Sequence, residues 1–258
     1  MRVLNKMVVY VVCLTVMVGA SGAAAQDAGA KHLTSTYAKE GTAWLRGNLH
    51  THTTESDGTL PPQEVVAFYA KLGYDFLMIS DHDKVTPTEG LDAKGMTLIA
   101  GNEITAKGPH LLHVNAHARI APDPDRQKII EQINQDGGLA IMNHPNWGGS
   151  YNHCPLEVLQ TLQGYTGLEI FNGVVVYLEG SELATDKWDR LLAKGQKVWG
   201  FASDDSHEPS VHAGMGWIMV QSGSRAVTDI VTAIREGRFY ASTGVSFDTI
   251  EVEGLSVT

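Results

Sequence analysis

Cysteine is nearly absent from this 258-residue sequence, which contains two. Cys13 lies in an apolar N-terminal run and Cys154 near the middle of the chain, so removal of the N-terminal run leaves one thiol. We therefore expect no internal disulfide and no structural zinc site built from cysteines.

Basic residues are also scarce. The chain has 19 Lys and Arg against 29 Asp and Glu, which gives a formal net charge of -10 at pH 7. This balance argues against a surface that coats nucleic acid. There is no Gly-rich dinucleotide fingerprint, no GxxxxGK[ST] phosphate loop and no internal repeat. After the N-terminal segment no apolar run is long enough to span a bilayer.

The first 25 residues have the features of a secretory signal peptide. A positively charged start precedes an apolar run over residues 7–20, and small residues up to Ala25 form a cleavage site. We expect cleavage near Ala25 and a secreted or periplasmic protein without a membrane span; an uncleaved anchor is the alternative. Residues 26–42 are small and polar, and we expect them to be flexible.

Between residues 43 and 245, short apolar runs alternate with segments of helical periodicity. Runs such as Phe76–Ile79 and Leu139–Met142 are typical of buried parallel strands. Strands that alternate with helices predict a parallel α/β fold. The helices are expected after Pro61 and over residues 125–135, 156–162, 181–193 and 228–235. Residues 246–258 read as a β-rich tail.

Histidines and carboxylates recur directly after the apolar runs. His50 and His52 stand at i and i+2, so on a strand both rings leave the same face and converge. Polar clusters at the carboxyl ends of successive strands are typical of an α/β barrel, whereas an open doubly wound sheet would gather them at one switch point. The candidate ligands are His50, His52, Asp57, His82, Glu103, His113, His144, Asp205 and His207.

The candidates offer only nitrogen and oxygen ligands. Such a set suits two or three divalent ions, and Mn, Zn and Fe are all compatible with it. Ions close together generate hydroxide from water at neutral pH and stabilise a phosphoryl transition state.

Six motifs in order resemble those of the PHP (polymerase and histidinol phosphatase) family over residues 45–245. They are Leu49-His50-Thr51-His52, Ser56-Asp57-Gly58, Ser80-Asp81-His82-Asp83, Gly101-Asn102-Glu103, Asn143-His144-Pro145 and Asp205-Ser206-His207. The resemblance implies a distorted (βα)7 TIM-like barrel, an α/β fold, with a di- or trinuclear metal centre.

The resemblance also implies which residues share an ion. The first ion would be held by His50, His52, Glu103 and Asp205, and Glu103 would bridge to a second ion. The second ion would be completed by His113 and His144, and a third would be held by Asp57, His82 and His207.

Two assignments stay open. Both His110 and His113 follow Glu103, and we favour His113 because strand alternation over residues 111–118 puts it on the polar face. Asp204 precedes Asp205 and is either a partner that orients a ligand histidine or a surface residue.

The function that the resemblance implies is a metal-dependent phosphoesterase, a phosphomonoester or nucleotide phosphatase acting on a small molecule. Asp205 and His207 are the candidate catalytic residues for proton transfer. Lys84, Lys107 and His153 are the candidate substrate-binding residues.

The scarcity of arginine in these loops keeps a second function open. Some secreted PHP-like proteins resemble carbaryl hydrolases, and the same centre would then cleave a carbamate, amide or ester. A third possibility is a secreted metal-binding module without turnover.

Overall fold

The structure is a computed structural model that describes residues 36–37, 41–253 and 256–257. The predicted signal peptide, residues 1–25, and most of the predicted flexible segment, residues 26–42, lie outside the described residues. Among the described residues, no helix is long and apolar enough to cross a membrane.

Within the described part of the chain, nine strands form one sheet and two short strands form a C-terminal hairpin. The strands are β1 Ala43–Asn48, β2 Phe76–Ile79, β3 Thr97–Ile104, β4 Leu111–Val114, β5 Leu139–Met142, β6 Gly167–Asn172, β7 Trp199–Ser203, β8 Trp217–Ser222, β9 Phe239–Ser242, β10 Val252–Glu253 and β11 Ser256–Val257. The order in the sheet is β7-β6-β5-β4-β3-β2-β1-β8-β9.

The sheet is mixed, which differs from the parallel sheet expected from the sequence. β4 runs antiparallel to β3 and β5, and β8 runs antiparallel to β1 and β9. Ile104 and Leu111 pair at the start of the β3–β4 hairpin. A parallel pair would need a crossover of about a dozen residues, and the connection here is too short for one.

Over the residues that the structure describes, six helices connect or cover the strands. They are α1 Pro62–Lys71, α2 Arg126–Gln135, α3 Leu156–Thr161, α4 Thr185–Ala193, α5 Pro209–His212 and α6 Val227–Arg235, and a 3-10 turn spans Val174–Tyr177. Asp125 caps α2 by accepting the backbone N–H groups of Gln127 and Lys128. α4 begins later than the expected Ser181, because Ser181 donates its backbone N–H to Asn146 and Leu183 forms a bridge with Phe171.

The two faces of β2 show how the core is divided. Phe76 and Met78 belong to a cluster that includes α6, whereas Leu77 and Ile79 pack with α1. Both faces of the strand are therefore apolar and buried, as expected of a strand covered on each side.

The two edges of the sheet approach each other. Phe201 of β7 stacks on Phe239 of β9 with ring centroids 4.7 Å apart. The sheet is nearly closed, so the predicted barrel-like α/β fold is confirmed, while the count of seven βα units stays a prediction.

Candidate metal centre

The carboxyl ends of the strands that run with β1 bring the polar motifs to one cleft. His50 and His52 follow β1, His82 follows β2, His144 follows β5 and Asp205 follows β7. The cleft contains a cavity of about 300 Å³. It is lined by Asp57, His82, Glu103, His110, His144, Trp147, Val174, Val175, Leu178, Asp205 and His207.

Glu103, near the end of β3, lies at the centre of the cleft and is buried. Ring nitrogens lie 2.8 to 3.6 Å from its carboxylate oxygens, and they belong to His50, His52, His82, His110 and His144. Asn143 donates its side-chain N–H to Glu103 Oε1 at 2.7 Å. Burial alone would raise the pKa of Glu103, but His50 and its neighbours hold this pKa well below the usual value.

Asp205 is the second carboxylate of the cleft. Its Oδ1 lies 3.2 Å from His50 Nε2 and 3.1 Å from His52 Nε2. Asn172 donates to its Oδ2 at 3.1 Å. The backbone of Asp205 is left-handed, with φ of 52°, and that of His144 has φ of 25°. Non-glycine residues held in this region are typical of functional sites.

Asp57 lies at the mouth of the cleft. Its Oδ2 is 3.4 Å from His82 Nε2 and 3.4 Å from His207 Nε2. His207 and His82 hold the pKa of Asp57 far below its usual value. Burial alone would lower the pKa of His82, but Asp57 and Glu103 raise it to about 10.

The donor atoms fit divalent cations. His50 Nε2, His52 Nε2 and Asp205 Oδ1 are buried and make no hydrogen bond within the described residues. A buried polar atom without a partner is costly, and a cation between these atoms would satisfy all three. In the described part of the chain, four groups have ligand atoms within 4.8 Å of one another: His50, His52 and Asp205; His50, Glu103 and His144; His52, Asp57, His82 and His207; His110, His144 and His153.

The structure places His110 beside Glu103 and the favoured His113 beside Asp136, and which of the two binds metal stays a prediction. In the β3–β4 ladder Glu103 pairs with Leu112, and His113 pairs with Asn102. Paired residues share a face, so His113 points away from Glu103 and its Nε2 lies 3.1 Å from Asp136. His110 precedes β4, and its Nδ1 lies 3.2 Å from Glu103 Oε1.

The two candidate lysines lie outside the cavity lining. Lys84 is exposed and forms an ion pair with Glu55. Lys107 is exposed as well. Their role in substrate binding stays a prediction.

His153 supports the cleft from one side. Its Nε2 accepts the backbone N–H of His110 at 3.0 Å, and its ring packs at 4.4 Å from the ring of His110. Burial, together with His144 and His110, lowers the pKa of His153 to about 3. His153 is therefore a neutral base at pH 7.

Glu169 in β6 was not a candidate from the sequence, although it fixes several site residues. Its Oε1 accepts from His50 Nδ1 at 2.7 Å and from the Ser203 hydroxyl. Its Oε2 accepts from the His144 backbone N–H and from Asn172, each at 2.8 Å. A glutamate inside the apolar run Gly167–Asn172 has to be paired when buried, and this was the available sequence signal.

Asp204 is buried, so it is not a surface residue, and its link to a ligand histidine runs through Asn48, whose Oδ1 accepts the backbone N–H of His50. It accepts hydrogen bonds from Tyr69 at 2.9 Å and from the side-chain amide of Asn48. It also accepts the backbone N–H groups of residues 214–216. Burial raises the pKa of Asp204 to about 6. Asp204 therefore fixes the chain beside Asp205.

Comparisons with known proteins bear on this architecture. No protein-family model matches the chain. An uncharacterized protein of Methanocaldococcus jannaschii is 25% identical over 116 residues, which cover 39% of this chain and 68% of that protein. A Bifidobacterium adolescentis structure of a proposed metal-dependent phosphoesterase has a TM-score of 0.46 at 19% identity and covers 62% of this chain and 87% of its own.

A better superposition is found with a two-domain protein from Bacteroides vulgatus that contains a predicted PHP-like metal-dependent phosphoesterase. Its TM-score is 0.63 at 18% identity, over 84% of this chain and 69% of that chain. At this identity the likeness establishes the fold. The chain therefore has the fold of a PHP-like domain, as its six motifs predict.

Proposed function

We propose that the protein is a metal-dependent phosphoesterase that binds two or three divalent ions, of Mn, Zn or Fe, in this cleft. The observation that carries the proposal is the set of buried, unpaired ligand atoms on His50, His52 and Asp205 around Glu103. The fold shared with a domain described as a phosphoesterase supports it. Bound ions would lower the pKa of a water and neutralise charge on phosphoryl oxygens.

The residues of the cleft would have different roles in the reaction. His50, His52 and Glu103 hold the ions and exclude bulk water, since all three are buried. In the reaction an oxygen–phosphorus bond forms from water, the phosphorus–oxygen bond to the leaving group breaks, and one proton moves to the leaving oxygen. We assign acceptance of the water proton to Asp205 and its delivery at the cavity mouth to His207, which is only partly buried.

The test is hydrolysis of p-nitrophenyl phosphate by the protein reconstituted with each metal. We expect turnover that is lost on chelation, restored by the metal and abolished in His50→Ala. His117→Ala is the matched control, because His117 is 64% exposed and lies near Asp136, outside the cleft. A protein that retains its ions and hydrolyses no phosphoester would contradict the proposal.

One observation favours a second function, hydrolysis of a carbamate or ester. Among the described residues that line the cavity there is no lysine or arginine, and four are apolar. Aryl carbamates and aryl esters tested beside p-nitrophenyl phosphate decide between the two. A higher kcat/KM on the carbamate or ester would select the second function.

We also propose that the protein is secreted or periplasmic and acts there on a small-molecule phosphate ester. The support is the signal-peptide pattern of residues 1–25. The mature protein recovered from the exported fraction should begin near Gln26. An intact Met1 terminus in the cytoplasm would contradict this.

A further inference from the structure

The cavity has two chemically different sides. The ligand side carries histidines and carboxylates, as described above. The other residues of the lining, which we call the apolar wall, are Trp147, Val174, Val175 and Leu178. Leu178 is 48% exposed, so a large apolar group stands at the mouth of a polar site. Apolar surface beside convergent polar groups is typical of a ligand-binding cleft.

The two valines of the apolar wall form hydrogen bonds with residues that also hold the metal-ligand candidate Asp205. Val174 donates its backbone N–H to the carbonyl of Asp204 at 2.9 Å, and Val175 donates to the side chain of Asn172 at 3.4 Å. Asn172 also donates to Asp205. The wall and the Asp205 carboxylate are therefore held in a fixed relation before any substrate binds.

The preceding glycine permits this close attachment. A Cβ added at Gly173 would lie 2.8 Å from the backbone oxygen of Asp204. Such a contact is too short for a side chain, so the 3-10 turn approaches β7 closely because residue 173 has none. The apolar wall thus follows directly from the Asn172-Gly173 sequence at the end of β6.

Trp147 is held in the apolar wall by separate backbone contacts. Trp147 bridges Gly180, and Gly148 donates its backbone N–H to Glu179 at 2.8 Å. The indole ring lies edge-on to His144, with ring centroids 5.2 Å apart. It therefore stands directly beside the ligands, within reach of a group attached to the reacting centre.

We propose that the apolar wall binds an aryl or branched alkyl group attached to the scissile ester. The substrate class is then phosphate esters with an apolar substituent, in preference to sugar phosphates and nucleotides; this rests on the proposed function. A ring packed between Trp147 and the valines gains apolar contact. Sugar hydroxyls would lose water there, and the valine and leucine side chains offer them no hydrogen-bond partner.

The test compares two probes that differ only in the apolar group, phenylphosphonate and methylphosphonate. Binding to the manganese-loaded protein is measured by calorimetry at a pH where both are fully ionised. Phenylphosphonate should bind roughly tenfold more tightly. Trp147→Ala should reduce this ratio to near one.

Two further variants keep the test decisive. Leu178→Lys changes an exposed side chain, so folding is retained, and it should weaken phenylphosphonate and strengthen methylphosphonate. Tyr151→Asn is the control, because Tyr151 is an exposed aromatic of the same loop as Trp147, lies outside the lining and has a left-handed backbone that asparagine tolerates. It should leave the ratio unchanged.

The outcomes separate the two proposals. Equal affinity of the two probes, or a ratio that neither Trp147→Ala nor Leu178→Lys changes, overturns the apolar subsite and leaves the phosphoesterase intact. Binding of neither probe by protein that retains its manganese counts against the proposed function itself. A preference for phenylphosphonate that both variants reduce supports the subsite.

Discussion

Glu103 is the residue that the imidazole groups of the cleft share. It is buried, and five histidine rings approach its two oxygens. A buried carboxylate among neutral rings is unfavourable, whereas one that shares divalent ions with them is stable. His50 and its neighbours lower the pKa of Glu103, which keeps this buried carboxylate in the charged form that a cation needs.

Glu169 would position the proposed metal ligand His50. Because its carboxylate accepts from His50 Nδ1, that nitrogen carries the proton and Nε2 is left to bind the metal. Glu169→Gln should weaken manganese binding by roughly tenfold or more, as judged by titration of the apoprotein. Glu157→Gln, on the exposed face of α3, should bind like the unmodified protein. Equal affinities for Glu169→Gln and Glu157→Gln would show that Glu169 does not position the ligand.

His110 and His113 give a second prediction at this scale. His110→Asn should lose metal from the side of the cleft next to Glu103, since its Nδ1 faces that carboxylate. His113→Asn should keep the full metal content, because its ring lies against Asp136 and Gly138. Elemental analysis of both variants measures the difference. Metal loss in His113→Asn alone would identify His113 as the ligand instead.

The sequence predicts the position of those site residues that belong to a recognisable local motif. His50, His52 and Glu103 follow apolar runs, so their motifs place them at strand ends without any knowledge of distant contacts. His110 could not be assigned, because its position depends on the register of the β3–β4 hairpin. Register is set by pairing between strands and is weakly visible in either strand alone.

At the scale of elements, one lysine holds the loop between β5 and α3, residues 143–155. Lys187 of α4 is buried, and its Nζ donates to the carbonyls of Pro145 and Cys154 at 2.8 Å each. It also donates to the carbonyl of Tyr151 at 3.2 Å. This loop carries His144, Trp147 and His153, so a contact between α4 and the loop fixes one side of the cavity.

Lys187→Met should therefore destabilise the protein and loosen the loop. Several buried carbonyls would lose their donor, and we expect a loss of about 2 to 4 kcal/mol in the free energy of unfolding. Urea denaturation measures the loss, and hydrogen exchange over residues 143–155 should increase. Lys194→Met removes an exposed lysine at the end of the same helix and should be nearly neutral. Similar stabilities for the two variants would refute the role of Lys187.

Two elements differ from what periodicity predicts, and each for a non-local reason. The amphipathic pattern from residue 181 predicts a helix. Ser181 and Leu183 instead pair through their backbones with Asn146 and Phe171, so the helix begins later. β4 reads as one more buried strand, and only the length of the hairpin connection determines its direction.

At the scale of the whole molecule, the sheet brings distant parts of the chain to one cleft. His50 and His207 are separated by most of the chain, yet both rings lie within 4 Å of Asp205. The nearly closed sheet makes this possible, since the carboxyl ends of the strands that run parallel to β1 face the same side. The fold class was predictable from alternating elements, and the closure follows from edge packing such as that of Phe201 on Phe239.

The central claim is that this cleft is a multinuclear metal site, and elemental analysis of the purified protein tests it most directly. The account predicts about two to three equivalents of Mn, Zn or Fe per chain. It also predicts that His50→Ala and Glu103→Gln lose most of the metal while His117→Ala retains it. Less than about one equivalent, unchanged in both cleft variants after reconstitution, would contradict the account.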